Sequence, residues 1–199
     1  TSLLVGVITT ALCLVLGYPI AYILSKYRSG KVLVLLFVLP MWVNFLIRTL
    51  ATKAIFVALD IQLGLGTVLF GMVYNYLPFM ILPLHTTLSN LDKSYVEASQ
   101  DLGADKLTTF VKTVLPLSVP GIISGMTMVF IPTISTFAIS QFLSDYTIFL
   151  FGDSIQTKFS NNMYGVGSVM SLIMIALVLL SNFVMSKFNK GEVTGRNLW

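Results

Sequence analysis

Long uncharged runs of apolar residues restrict what this sequence can fold into. Four runs contain no Asp, Glu, Lys or Arg, and a fifth begins at Val32 and meets its first charge at Arg48. The four uncharged runs are residues 2–24, 61–84, 115–143 and 159–186. About 20 apolar residues form a helix that crosses ~30 Å of hydrocarbon. The runs therefore predict an all-α integral membrane protein with five transmembrane helices in one domain, residues 1–199.

The basic residues are distributed unevenly between the two ends of these helices. Nine lie at one end, namely Lys26, Arg28, Lys31, Lys93, Lys106, Lys112, Lys187, Lys190 and Arg196, and three at the other, namely Arg48, Lys53 and Lys158. Short cytoplasmic loops are rich in Lys and Arg, which places the nine in the cytoplasm. This topology explains the net charge of +4 without nucleic acid. Thr1 would then lie outside, so we expect a sixth helix upstream.

Few side chains suggest chemistry of their own. Cys13 lies in the first run, and we expect it to act as a small buried hydrophobe. His85 ends the third run without Cys, His or carboxylate neighbours at ligand spacing, so we expect a solvated or capping histidine and no metal site. The sequence has no Walker A loop and no Ser, His and acid set. It therefore predicts a chain that is not an enzyme.

Prolines and small residues mark the runs internally. The prolines are Pro19, Pro40, Pro78, Pro83 and Pro132. Each removes a backbone hydrogen bond, and we expect each to kink its helix. The stretch GIISG places Gly121 and Gly125 four apart, a spacing that lets two helices approach closely.

One charged segment, residues 91–116, separates the third and fourth runs. At helical spacing it carries two apolar stripes, Leu91, Tyr95, Ala98 and Leu102, then Leu107, Phe110, Val111 and Val114. Gly103 lies between them, where a helix end favours a left-handed residue. Either Asp92 or the Ser94 and Glu97 pair would cap the first helix. We therefore expect two short amphipathic helices that dock on a protein partner, with a lipid surface as the alternative.

The same segment resembles a known loop. Glu97-Ala98-Ser99, Gly103 and Leu115-Pro116 stand at the spacing of the EAA loop of bacterial binding-protein-dependent ABC importer permeases, with Ser99 and Thr113 as mild departures. The resemblance implies the type I importer permease fold, with residues 91–116 as a cytoplasmic coupling segment docked in a cleft on a separate ATPase. Its implied coupling residues are Tyr95, Glu97, Ala98, Gly103, Leu115 and Pro116. ATP and Mg would be used by that ATPase, and this chain would bind no cofactor.

Three stretches narrow the resemblance to one branch. Residues 39–49, 71–88 and 91–125 are similar to the PotB-type spermidine/putrescine branch of the family, whereas the outer link 51–66 looks shorter. That branch implies polyamine cargo, a second permease subunit, two ATPase subunits and an extracytoplasmic binding protein. Permeases for ferric iron, thiamine or an anion are alternatives, as are a membrane scaffold that transports nothing and a gated channel.

A polyamine route needs carboxylates and aromatic faces, because both attract ammonium groups. The candidates for the substrate pathway are Trp42, Asn44, Arg48, Tyr74, Asp145 and Asp153. A second interpretation is open for each of them. Outer-loop carboxylates are commonly solvated, Trp and Tyr anchor helices at the membrane interface, and Asn44 and Arg48 could pair at a helix end.

Overall fold

Helices make up the regular structure of residues 2–27 and 30–193, which the computed structural model describes, and no strand occurs among them. The α-helices are α1 (Ser2–Lys26), α2 (Gly30–Val38), α3 (Phe45–Ala58), α4 (Leu65–Ser89), α5 (Lys93–Asp101), α6 (Lys106–Thr109), α7 (Leu115–Leu117), α8 (Val119–Ser135), α9 (Ala138–Leu143), α10 (Phe151–Ser160) and α11 (Tyr164–Val193). A 3₁₀ turn, Leu39–Trp42, follows α2, and a π-helical turn, Phe110–Val114, follows α6.

The candidate membrane spans divide into single helices and bent pairs of helices. Helices α1, α4 and the first 22 residues of α11 are each long and apolar enough to cross a bilayer. Two further candidates are pairs of helices, Val32–Trp42 with Phe45–Ala58, bent by 89°, and Lys106–Leu117 with Val119–Ser135, bent by 61°. If each bent pair is one span, the described residues contain the five spans that the sequence predicts.

Pro40 lies in the 3₁₀ turn at the first of these bends, as its predicted helix-breaking role requires. The chain resumes as α3 only after Asn44, and α3 runs as far as Ala58. The predicted bounds of the outer link, residues 51–66, are therefore wrong, because the first half of this range belongs to α3. The turn left between α3 and α4 contains Asp60, whose φ is +58°.

The core lies between α1, α4 and α8, which pack against one another. Cys13, Met80, Leu84 and Val129 are completely buried in it, which confirms the interpretation of Cys13. The prediction that His85 is solvated is wrong, because this side chain is buried near the start of α2. Its Nε2 atom lies 3.2 Å from the Ser89 hydroxyl.

The two longest apolar runs are divided differently from the prediction. Residues 115–143 form α7, α8 and α9, with breaks at Ser118 and at residues 136–137. Residues 159–186 begin inside α10 and enter α11 after a turn in which Asn162 has a φ of +58°. Asn adopts this left-handed conformation more readily than most residues. The absence of charge predicted the apolar environment but not these breaks.

Gly121 and Gly125 bring α8 against α4. A Cβ atom at position 121 would lie 2.6 Å from Thr87 Oγ1 and 3.2 Å from the Pro83 carbonyl oxygen. At position 125 it would lie 2.6 Å from Met80 Sδ. The small-residue pattern of GIISG therefore marks a close helix contact, as expected.

We predict that Gly121→Leu lowers the thermal unfolding temperature of the purified protein by at least about 3 °C, because overfilling a packed contact costs ~1–3 kcal/mol. Gly165→Leu in α11 is the matched control, since a Cβ there meets no atom within 4 Å. A melting curve in detergent, followed by intrinsic fluorescence, measures both. Equal unfolding temperatures for the two variants would contradict the close α4–α8 contact.

Candidate functional site

Hydrogen bonds from side chains fix the start of each half of segment 91–116. Asp92 caps α5, accepting a 3.0 Å bond from the Ser94 N–H. This is one of the two predicted caps, and the bond lowers the pKa of Asp92. Asp105 caps α6 through a 3.1 Å bond from the Thr108 N–H, and hydrogen bonds to Thr108 likewise lower its pKa. Gly103 between them has a φ of +84°, which confirms the predicted left-handed corner.

The second half of the segment is not one continuous α-helix. After α6 the chain widens into the π-helical turn, in which the Leu115 N–H bonds the Phe110 carbonyl. A wider turn is expected here, because the Pro116 ring would clash with the carbonyl four residues earlier in an α-helix. The turn divides the predicted second stripe. Phe110 and Val114 face the bundle, whereas Leu107 and Val111 are exposed.

The outward face of the segment carries four large apolar or aromatic side chains among exposed charged ones. We call Tyr95, Leu102, Leu107 and Val111 the exposed coupling surface, because each is more than half exposed, with Leu102 at 90%. Two of the predicted coupling residues, Glu97 and Ala98, are also exposed on α5.

The opposite face holds the segment to the protein. Val96 packs against the core, and the Ser99 hydroxyl lies 3.3 Å from Thr109 Oγ1. Leu115 is partly buried at the end of the segment and Pro116 is exposed. The segment is thus fixed on one side and open on the other.

Four of the pathway candidates lie near the bend between α2 and α3. Trp42 is 83% exposed in the 3₁₀ turn. Asn44 caps α3, accepting a 2.8 Å bond from the Leu46 N–H, so its side chain has a structural use. The Arg48 guanidinium carbon lies 5.8 Å from the centre of the Tyr74 ring. Two buried Arg48 nitrogens, Nε and Nη1, have no hydrogen-bond acceptor among the described residues.

Asp145 forms an ion pair that the sequence did not predict. Its Oδ1 atom lies 3.0 Å from Lys53 Nζ, joining the link after α9 to α3. Asp145 and Tyr146 both have positive φ values, +51° and +63°, and the Asp145 side chain is 68% exposed. The two partners are 92 residues apart, and opposite charge on the predicted outer side was the one sequence signal for them.

Asp153 differs from a solvated loop carboxylate, because its side chain is 0% exposed. Its Oδ2 atom accepts a 2.6 Å bond from the Ser140 hydroxyl and a 2.7 Å bond from the Leu150 N–H. Burial raises the pKa of Asp153, and these hydrogen bonds oppose part of that rise. In this conformation the carboxylate holds the start of α10 against α9 and does not face open space.

The candidates therefore lie at three places, namely the bend between α2 and α3, the link after α9 and the start of α10. Two cavities have volumes of about 320 and 440 Å³. They are lined by residues of α1, α8, α10 and α11 and of the segments next to α8 and α10. None of the six candidates lines either cavity. Within residues 2–27 and 30–193, no group of three His, Cys, Asp or Glu side chains could hold a metal ion. The substrate pathway stays a prediction.

Comparison with known proteins shows the family to which this chain belongs. The model of the family "binding-protein-dependent transport system inner membrane component" matches residues 13–192, and the chain belongs to this family. It is therefore a multi-pass protein of the bacterial inner membrane.

Within the family the chain is similar to PotB, the spermidine/putrescine transport system permease protein. It is 37% identical to PotB of Escherichia coli over 80% of this chain and 65% of that protein. It is 36% identical to PotB of Haemophilus influenzae over 95% and 73%. The chain thus spans slightly less than two thirds of the length of the Escherichia coli relative.

A solved structure has the same fold. The inward-facing MetNI methionine ABC transporter superposes with a TM-score of 0.74, covering 96% of this chain and 92% of that one, at 18% identity. This likeness confirms the type I importer permease fold that the sequence predicts.

Asp153 generates a pH prediction. A carboxyl whose pKa is raised on folding stabilises the protein most below its unfolded pKa, about 3.9, and that contribution is lost as pH rises through the folded pKa. We expect the unfolding temperature of wild type to fall relative to Asp153→Asn as pH increases above about 4, since the amide keeps an acceptor and has no proton to lose. Thermal melts at several pH values measure both unfolding temperatures. If the unfolding temperature of wild type rises relative to that of Asp153→Asn as pH increases, the raised pKa of Asp153 is contradicted.

Proposed function

We propose that this chain is the permease subunit of an ATP-driven importer that carries spermidine or putrescine into the cell. The exposed coupling surface carries the proposal, because an apolar face on an otherwise charged segment fits a protein partner. The similarity to two PotB proteins over most of the chain supports the cargo class.

The partner that best fits this surface is a cytoplasmic ATPase. Leu102 stands at the C-terminal end of α5 beside the Gly103 corner and is the most exposed side chain of this surface. Glu97 and Ala98 lie on the same helix and would contact the rim of the ATPase cleft. ATP and Mg would be bound and used by that subunit, and the present chain would transmit the movement without catalysing hydrolysis.

The transport route would form between this chain and a second permease subunit, fed by an extracytoplasmic binding protein. Two features support this arrangement. The outer candidates Trp42, Arg48 and Tyr74 line neither of the two cavities described above, and Arg48 keeps two buried donors without an acceptor among the described residues. ATP binding would shift the assembly between outward-open and inward-open states, each with a different affinity for cargo.

The first test is uptake of labelled spermidine by cells that lack their own polyamine importers and express the full-length protein with its neighbouring subunits. We expect saturable uptake, and we expect Gly103→Val to abolish most of it. A β-branched residue at φ +84° is strained, and the strain is purely local because a Cβ there meets no atom within 4 Å.

Gly103→Asn is the matched control, since Asn tolerates left-handed backbone and should retain most of the uptake. Wild-type expression without uptake of spermidine or putrescine would overturn the cargo. Uptake that survives Gly103→Val would overturn the role of the corner.

The docking surface has a separate test. We expect Leu102→Asp to weaken binding of the ATPase more than about tenfold, because a charge would have to be buried at the interface. The unfolding temperature of the isolated permease should not change, since Leu102 is 90% exposed. Leu102→Met, which remains apolar, is the control. Co-purification and titration with the ATPase measure both, and equal affinities would remove Leu102 from the interface.

A further inference from the structure

One hydrogen bond joins the first span to the break before α8. The Tyr18 hydroxyl lies 2.8 Å from Ser118 Oγ, between residues 100 positions apart in the sequence. Both side chains are buried, Tyr18 at 8% and Ser118 at 0% exposed. A buried bond between two neutral hydroxyls cannot exchange readily with water, so it holds these two points of the bundle together.

Ser118 is the residue at which the chain turns. It stands between α7 and α8, at the 61° bend, with φ −91° and ψ −3°. Its hydroxyl donates a 2.8 Å bond to the Leu115 carbonyl. Because the Ser118 proton is used there, the Tyr18 O–H is the donor in the bond between the two hydroxyls. Tyr18 is thus bound directly to the residue that sets the angle between the coupling segment and the fourth span.

A ring contact about two turns before the bend strengthens the same connection. The π-helical turn directs Phe110 towards α1, where its ring meets the edges of Tyr18 and Tyr22 at centroid distances of 5.8 and 5.0 Å. Edge-to-face aromatic pairs of this kind add about 0.5–1.5 kcal/mol beyond area burial. Val114, also in the π turn, is buried in the same core. The coupling segment therefore contacts α1 through one face of a single turn.

We propose that Tyr18, Phe110 and Ser118 form a rigid contact, called the joint below, that makes the coupling segment, α1 and the start of α8 move as one body. The inference rests on the proposed function, since it states how movement of a docked segment reaches the spans. Without the joint, the bend at Ser118 would flex and absorb that movement. Tyr18 is a positioning residue, which acts through Ser118 and touches no cargo.

Tyr18→Phe tests the joint because it removes one hydroxyl and keeps the ring on Phe110. In the complete transporter reconstituted in liposomes, we expect cargo carried per ATP hydrolysed to fall about fivefold, the effect of one hydrogen bond. ATP hydrolysis itself should change little, and the unfolding temperature should fall by no more than the few degrees that one buried hydrogen bond contributes. Tyr27→Phe is the control, since Tyr27 is exposed at the same end of α1.

Variants at Ser118 distinguish a contact that transmits movement from one that only stabilises the fold. Ser118→Ala should reproduce the Tyr18→Phe defect, Ser118→Thr should restore the wild-type ratio, and the double variant should be no worse than either single one. An unchanged ratio in Tyr18→Phe would overturn the joint. Uptake, hydrolysis and unfolding temperature that fall together would also overturn it, since that pattern indicates lost stability alone.

A measurement that needs no cargo keeps the joint testable if the polyamine assignment fails. Spin labels are placed on exposed positions of α1 and α5, by Leu12→Cys and Gln100→Cys in a Cys13→Ala background. In the assembled transporter, the distance between the labels should stay constant when ATP is trapped with vanadate, and Tyr18→Phe should make it change or broaden. A wild-type distance that itself changes would overturn the joint, whatever the cargo.

Discussion

Hydrogen bonding of the backbone inside hydrocarbon is the constraint on which the rest of this structure depends. No water is available there, so each carbonyl freed by a proline or a break needs another donor. Threonine hydroxyls bonded to the carbonyl four residues earlier allow polar residues to sit within the helices, as with Thr10 on Gly6 and Thr133 on Val129. At the break before α8, the Ser118 hydroxyl bonds the carbonyl three residues earlier, that of Leu115. This span therefore bends where a side-chain donor satisfies a carbonyl that the break leaves free.

The spans and the coupling segment could be predicted because their signals are local. Runs without charge give the approximate spans, and a glycine between two apolar stripes gives the corner at Gly103. The breaks at Ser118 and at residues 136–137 could not be predicted, because apolar residues flank both sides of each. What stabilises the break at Ser118 is the Tyr18 hydroxyl, 100 residues away.

The candidate site shows the same division between local and distant information. The sequence predicted the apolar residues of the exposed coupling surface. It did not predict that Phe110 and Val114 of the second stripe face the bundle, because this depends on the π-helical turn. Lys53 could not be paired with Asp145, nor Ser140 with Asp153, before the folding of α9 against its neighbours was known. The position of Asp153 in the sequence suggests a solvated loop carboxylate, whereas the structure buries it. A carboxylate near the start of a helix can instead cap that helix.

The bent pair formed by α2 and α3 has a consequence for how the chain enters the membrane during synthesis. The 14 residues of α3 extend about 21 Å at 1.5 Å per residue, less than the hydrocarbon thickness, and α2 is shorter still. Neither half can partition into lipid as an independent span, and the 89° turn between them leaves polar backbone that later helices must cover. Because α2 contacts α4, and α3 contacts α4 and α9, we expect this region to settle in the bilayer only after those later helices have left the ribosome.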